Sequence, residues 1–439
     1  ANNTNYTATL TASDTALTIG AQTAGTALTN AYWVGNRITA GSASGVDNAM
    51  ALSSGTASNW SSAAAFTATG LVPGSAANLF FSATSGATPS QQSNVVLGSS
   101  MNVNSLTFND ATPVTIAADG SSLRLNSTGT GASSAISTNQ NATVNAGLLL
   151  GANQTWTTAT GRTLSVGGTI GEVGGTYTLT LAGAAGSTLN LSGVSSYSNA
   201  TTVSGGTVNY TSTASKQYLG TNSNLTVSGG VVNVSGTVDV NSLSLSGTNT
   251  GALNVNSGGM LVLRGNPTLS NYLNVAAGGT VMALGTMPVN GAAAVLRVSG
   301  GTLTMGNAVL GVNGGSGGEL TITGGAINHG LGTGAQNFNI GNGSGVTGTG
   351  VVNVVGGLLD NTGNRITLSE GNGGTPGTIA VLNLNGGTLA TNDIFSAGGG
   401  NQRTNAGVVN FNGGQLRVTA ASTTFLYPNG LGTGTPSNG

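Results

Sequence analysis

A glycine pair set between alternating apolar residues recurs nine times in this chain, starting at Gly205, Gly229, Gly258, Gly278, Gly300, Gly324, Gly356, Gly386 and Gly413. The spacing varies from 20 to 32 residues, which is a period with insertions and not an exact tandem copy. The second residue after each pair is always aliphatic: Val208, Val232, Leu261, Val281, Leu303, Ile327, Leu359, Leu389 and Leu416. An alternating doublet precedes the pair, as in Leu296 and Val298, Leu382 and Leu384, or Val409 and Phe411, and the copies at Val255 and Val275 carry one extra residue.

Alternation at period two sends successive side chains to opposite faces, so each segment predicts a strand with one buried side. Glycine reaches backbone angles closed to other residues, so a Gly-Gly step between two strands predicts a sharp corner. One unit of this size has a single apolar face and two open edges and cannot close a core alone. Stacking units along an axis pairs each strand with its counterpart in the next coil. The expected fold is therefore all-β: a parallel β-helix, or solenoid, right-handed and three-sided, with an N-terminal capping region. The expected corner and ladder residues include Gly205, Gly206, Val208, Gly229, Gly230, Val232, Gly300, Gly301, Leu303, Gly386, Gly387, Leu389, Gly413, Gly414 and Leu416. Charges agree with this phase, since Asp239, Arg297 and Arg417 each fall between two inward aliphatic residues. Residues 98–426 would form the solenoid, with room for roughly 12 or 13 coils between Ser99 and Val418.

Composition removes the competing classes. Charged residues make up 4%, against roughly 25% in ordinary globular chains, so Asn, Thr, Ser and Gly must clothe the surface. The 76 glycines follow no strict triplet period, which excludes collagen, and the abundance of Val, Leu, Ile and Thr argues against disorder. Net charge is −1 with the basic residues scattered singly, so no nucleic-acid or anionic-membrane surface is indicated. Cysteine is absent, which excludes disulfides and thiolate metal sites, and no 18-residue apolar run offers a helical membrane span. A first residue of Ala1 is what a secreted protein would show after loss of a signal peptide.

Upstream, residues 154–212 carry a second pattern, with Trp156, Gly161, Arg162, Leu164, Leu189, Leu191, Gly193, Tyr197, Thr202, Val203, Gly205 and Gly206 at its marked positions. This stretch resembles the autotransporter-associated β-strand repeat. The resemblance implies a bacterial passenger-type β-helix, exported to the extracellular space or the cell surface. The chain departs from that family where a Thr-Gly-Gly step is replaced by Asn199, Ala200 and Thr201, and no membrane-barrel domain follows the repeats.

Enzyme chemistry finds little to work with. No two of the ten acidic residues are close in sequence, and Asp360 with Asp393 is the one pair that follows successive corners, at different offsets. His329 stands alone in "GGAINHG" and reads as a strand-end residue beside a glycine turn. The run "GNGSGVTGTG" at 341–350 lacks the Lys and helix of a phosphate loop, and Asp does not recur after the glycines as calcium-binding nonapeptides require. No catalytic residue, cofactor or metal is expected.

Two functional classes remain. The first is a non-enzymatic structural protein whose subunits join head to tail through the β-helix ends into an extracellular filament or surface matrix. In this reading residues 1–97 form a cap with Trp33, Trp60, Phe66, Phe80 and Phe81 as its aromatic core, and residues 5–20, with Tyr6, Ala8 and Leu10, supply a donated strand. Residues 427–439 form a Gly-rich tail. The second is an adhesin that contacts surface glycans along one flank, for which a contiguous exposed aromatic row would be the signature.

Overall fold

The structure is a computed structural model, and it describes residues 6–9, 18–21, 28–35, 48–53, 57–64, 67, 69–82, 92–212, 222–246, 252–305, 310–312, 317–330, 338–341, 348–368, 378–396, 406–421 and 425–427. Strand accounts for 59% of it and helix for 2%, and the parallel strands wind into a β-solenoid of about 11 turns. That is slightly fewer than the roughly 12 or 13 expected from the spacing. The chain divides into two compact units, Ala1–Leu219 and Gly220–Gly439.

In the first unit, one side is the parallel ladder Asn78–Phe81, Ser105–Phe108, Ile136–Thr138, Gln154–Thr158, Leu179–Gly183 and the start of Thr201–Tyr210. A second side runs from Val114–Ile116 through Ala142–Val144, Thr163–Val166 and Thr188–Leu191 to the end of Thr201–Tyr210. A third comprises Met101–Val103, Ser122–Leu125, Gly147–Leu150 and Ile170–Glu172. Alternation delivers the inward column directly: Leu106, Ile136, Trp156, Leu181 and Val203 lie in register and are at most 1% exposed. Each such side chain contributes about 1.5–3 kcal/mol on burial.

The first strand of this ladder, Asn30–Trp33, is used at both edges. Tyr32 lies opposite Phe80 in a parallel pairing and opposite Ser61 in an antiparallel one. Trp33, Trp60 and Phe81 pack there with centroids 5.2 to 6.1 Å apart, and Phe81 stacks on Phe108 at 5.5 Å. The Trp60 indole donates to the Met50 carbonyl at 2.7 Å, which satisfies its one polar atom in the core. Phe66 lies outside the described residues.

The second unit repeats the three-sided plan. Its first side runs from the start of Leu225–Val234 through Leu243–Leu245, Thr268–Leu269, Met287–Val289, Leu310–Val312 and Phe338–Ile340 to the ends of Leu358–Leu368 and Thr378–Ser396 and to Leu426–Tyr427. Its third runs from Thr237–Val240 through Met260–Leu263 and Thr280–Ala283 to the later parts of Val295–Met305 and Gly318–Asn328, the start of Leu358–Leu368, the middle of Thr378–Ser396 and the end of Ala406–Val418. Its second side stacks the later half of Leu225–Val234 with Ala252–Val255, Tyr272–Val275 and the first part of Val295–Met305, then continues through Gly318–Asn328, Gly348–Val354 and Thr378–Ser396 to Ala406–Val418. Val232, Leu253, Leu273, Leu296, Leu320, Val352 and Leu382 form its inward column, all fully buried. The two ion pairs among the described residues, Arg264 with Asp239 and Arg365 with Asp393, sit on outward positions and add little, so burial and the backbone ladder carry this fold.

Candidate functional site

Seven of the nine glycine pairs occupy one corner of the second unit, between its second and third sides: those starting at Gly258, Gly278, Gly300, Gly324, Gly356, Gly386 and Gly413. The pair at Gly229 turns between the first and second sides instead, and Gly205 with Gly206 turns in the first unit. Two physical demands select glycine at the stacked corner. One residue of each pair has positive φ, for example Gly325 at 73°, Gly357 at 69°, Gly387 at 67° and Gly414 at 81°. The preceding coil also passes so close that a Cβ on Gly325 would lie 2.0 Å from the Gly301 carbonyl oxygen, and one on Gly386 would lie 2.3 Å from that of Val355. Where an extra residue precedes the pair, the corner becomes a four-residue turn closed by Gly259 N–H to Asn256 at 2.8 Å and by Gly279 N–H to Ala276 at 2.9 Å.

Val208, Val232, Leu303 and Leu389 are buried, at 0 to 2% exposure, whereas Leu416 is half-buried. Leu416 belongs to the last rung among the described residues. The strand Ala406–Val418 pairs with Thr378–Ser396, and among the described residues its outer row of N–H and C=O groups has no partner strand. Its inward side chains have lost their cover. Phe411, Val418 and Leu426 are 48 to 49% exposed, while Leu384, Thr391 and Ile394, in register with them one turn earlier, are at most 2% exposed.

An amide column, for which the sequence carries a signal not used above, runs along the outward face to this open rung. Asn233, Asn254, Asn274, Arg297, Thr321, Asn353, Asn383 and Asn410 lie in register. Asn254 donates to Asn233 at 3.1 Å, Asn383 to Asn353 at 2.8 Å, and Asn410 to Asn383 at 2.7 Å. Asn412 donates to Asn385 at 2.9 Å beside the corner. These amide ladders bind turn to turn without charge.

The residues weighed for catalysis are not assembled. Asp360 lies on the third side opposite Ala390 and accepts the Thr362 N–H at 3.0 Å, whereas Asp393 lies opposite Arg365 and is held by it at 2.8 Å. His329 follows Gly318–Asn328 and is buried at 1% exposure. Its Nδ1 is 2.7 Å from Asn361 Oδ1, and Asn361 donates to Thr391 at 3.1 Å, a polar stack running up one interior column. No group of three or more His, Cys, Asp or Glu side chains gathers among the described residues. No helix among them is long and apolar enough to cross a membrane.

Two tyrosines in the first unit are buried. Burial pushes the Tyr197 phenol far above its ordinary range; its hydrogen bond to Thr201 opposes this, and the Glu172 carboxylate adds to it. Tyr210 is pushed up for the same first reason, and its hydroxyl has no hydrogen-bond partner among the described residues. A groove of about 530 Å³ crosses the same unit, lined by Gly131, Ser137, Asn139, Thr157, Ala182 and Ser204 among others, with no charged side chain and no ring in its wall.

The N-terminal segment departs from expectation. Tyr6–Thr9 pairs antiparallel with Thr18–Ala21, so the described parts of the expected strand 5–20 lie against each other and do not form one extended strand. Period-two alternation is common to a single strand and to a hairpin and cannot tell them apart. Tyr6 and Ala8 lie on the first strand of this pair, and Leu10 lies outside the described residues. Residues 428–439 of the tail also lie outside them.

Comparison of the chain with protein-family models, with curated proteins and with solved structures finds no match.

Proposed function

We propose that this chain is a non-enzymatic structural protein, a β-solenoid subunit exported by a bacterium, that assembles with copies of itself into an extracellular filament or surface matrix. The observation that carries this reading is the last rung, where a 13-residue strand combines an open edge with exposed inward side chains. Monomeric solenoids blunt such an edge with charge, proline or a covering segment. This rung has one charged residue, Arg417, and no proline. A charge-poor surface supports the same reading, because the contacts between turns depend little on pH or salt.

The adhesin reading draws less support. Trp33 and Trp60 are buried, and Tyr32 and Phe80, the stacked pair nearer the surface, turn their rings on each other with centroids 5.0 Å apart. Negative-stain microscopy and sedimentation of native material test the proposal. Assemblies that grow with concentration are expected, and separate single subunits at every concentration would refute it.

A further inference from the structure

We infer that the open rung joins a second copy of itself tail to tail, about a two-fold axis through the Gly413–Gly414 corner. This inference rests on the self-assembly reading and specifies its junction. The head-to-tail join expected from the sequence donates residues 5–20 as one strand, whereas Tyr6–Thr9 and Thr18–Ala21 pair with each other, and the first parallel strand, Asn30–Trp33, already pairs with Asn78–Phe81 and, at Tyr32 and Trp33, with Trp60–Ser61.

The rung is self-complementary about its corner. Residues 409–418 read V-N-F-N-G-G-Q-L-R-V, a palindrome of apolar and polar positions. A two-fold axis through the glycine pair lays the second side of one copy along the third side of the other, with the strands antiparallel. Val409 then meets Val418 and Phe411 meets Leu416 on the inward side, while Asn410 meets Arg417 and Asn412 meets Gln415 on the outward side. Inward positions stay inward, because the axis is perpendicular to the solenoid and preserves distance from its centre. Leu426, on the first side, is brought toward its own image. The rung's one charge therefore faces an amide and not its own image, and the exposed Phe411, Val418 and Leu426 gain cover. A two-fold contact is isologous and closed, so it pairs subunits, and a longer assembly requires a second contact elsewhere.

The absence of cysteine makes the test clean. Asn412→Cys and Gln415→Cys are prepared separately in the full chain, then mixed and oxidised. Directly opposed residues on antiparallel strands lie about 4.5–5.5 Å apart, within disulfide reach, whereas like residues would be roughly 10 Å apart. The mixture should give a disulfide-linked dimer that each variant alone lacks. As a second readout, Asn410→Asp would place a carboxylate opposite the partner's Arg417 twice per dimer. It should tighten association roughly two- to thirtyfold, the range for two exposed ion pairs. Protein that self-associates without the mixed cross-link, and whose affinity ignores Asn410→Asp, overturns this junction and leaves the self-assembly reading standing. Protein that stays monomeric at all concentrations overturns both, as does capture of a different protein at the rung with no self-association.

Discussion

Replacing Gly325 by alanine should strike the stacked corner at its tightest point. The residue has φ of 73°, and an added Cβ would lie 2.0 Å from the Gly301 carbonyl oxygen and 2.6 Å from the Gly300 carbonyl carbon. An L residue in the left-handed region costs about 1–2 kcal/mol. Forcing a methyl group against the backbone of the preceding turn adds about 1–3 kcal/mol, since no flexible side chain is there to move aside. The total is about 2–5 kcal/mol. Gly363 is the matched control: its φ is 82°, but nothing lies within 4 Å of an added Cβ, so Gly363→Ala should lose only the first part. Urea unfolding followed by far-ultraviolet circular dichroism measures both variants in the full chain. If Gly325→Ala were no more damaging than Gly363→Ala, the turns would not be in backbone contact at this corner, and the reason given for its glycines would be wrong.

Three further outcomes follow from the same geometry. Asn383→Ala, which removes one bond toward Asn353 and one from Asn410, should destabilise by roughly 1–2 kcal/mol, with about half that for Asn410→Ala at the column's end; chemical denaturation checks both. Tyr210→Phe, which deletes a buried hydroxyl without a partner among the described residues, should raise stability by about 1 kcal/mol in a thermal melt. Because the folded Tyr197 phenol is raised above its unfolded value near 10, its contribution is complete below about pH 10 and is lost as pH climbs further, so Tyr197→Phe should reduce the alkaline loss of stability in a pH titration of unfolding.

The strands and the stacked corner were legible in the sequence because a period of two and a glycine pair are each tied to one backbone geometry. What escaped were features that depend on which turns become neighbours. The glycine pair at Gly229 looks like its fellows, yet it turns between different sides, since only the pairing of Leu225–Val234 with two later strands decides the corner it serves. The recurrent Asn at the outward phase, as in Asn254, Asn274, Asn353 and Asn383, was visible but reads as ordinary surface until register places one amide above the next. His329 was placed at a strand end by its offset from the corner; its burial follows from Asn361 and Thr391 occupying the same column in the next two turns. Joining ends were expected, but which side chains the last described rung would leave uncovered was not legible, because Phe411 and Leu384 have the same local pattern and differ only in whether a described turn covers them.

Hydrogen exchange at the backbone amides of Ala406–Val418, followed as protein concentration is raised, addresses the open rung most directly. The outward-edge amides of this strand should exchange fast in dilute solution and become protected in step with self-association, while those of Thr378–Ser396 stay protected throughout. Exchange at Ala406–Val418 that is slow at every dilution, or fast however concentrated the protein, would contradict the account.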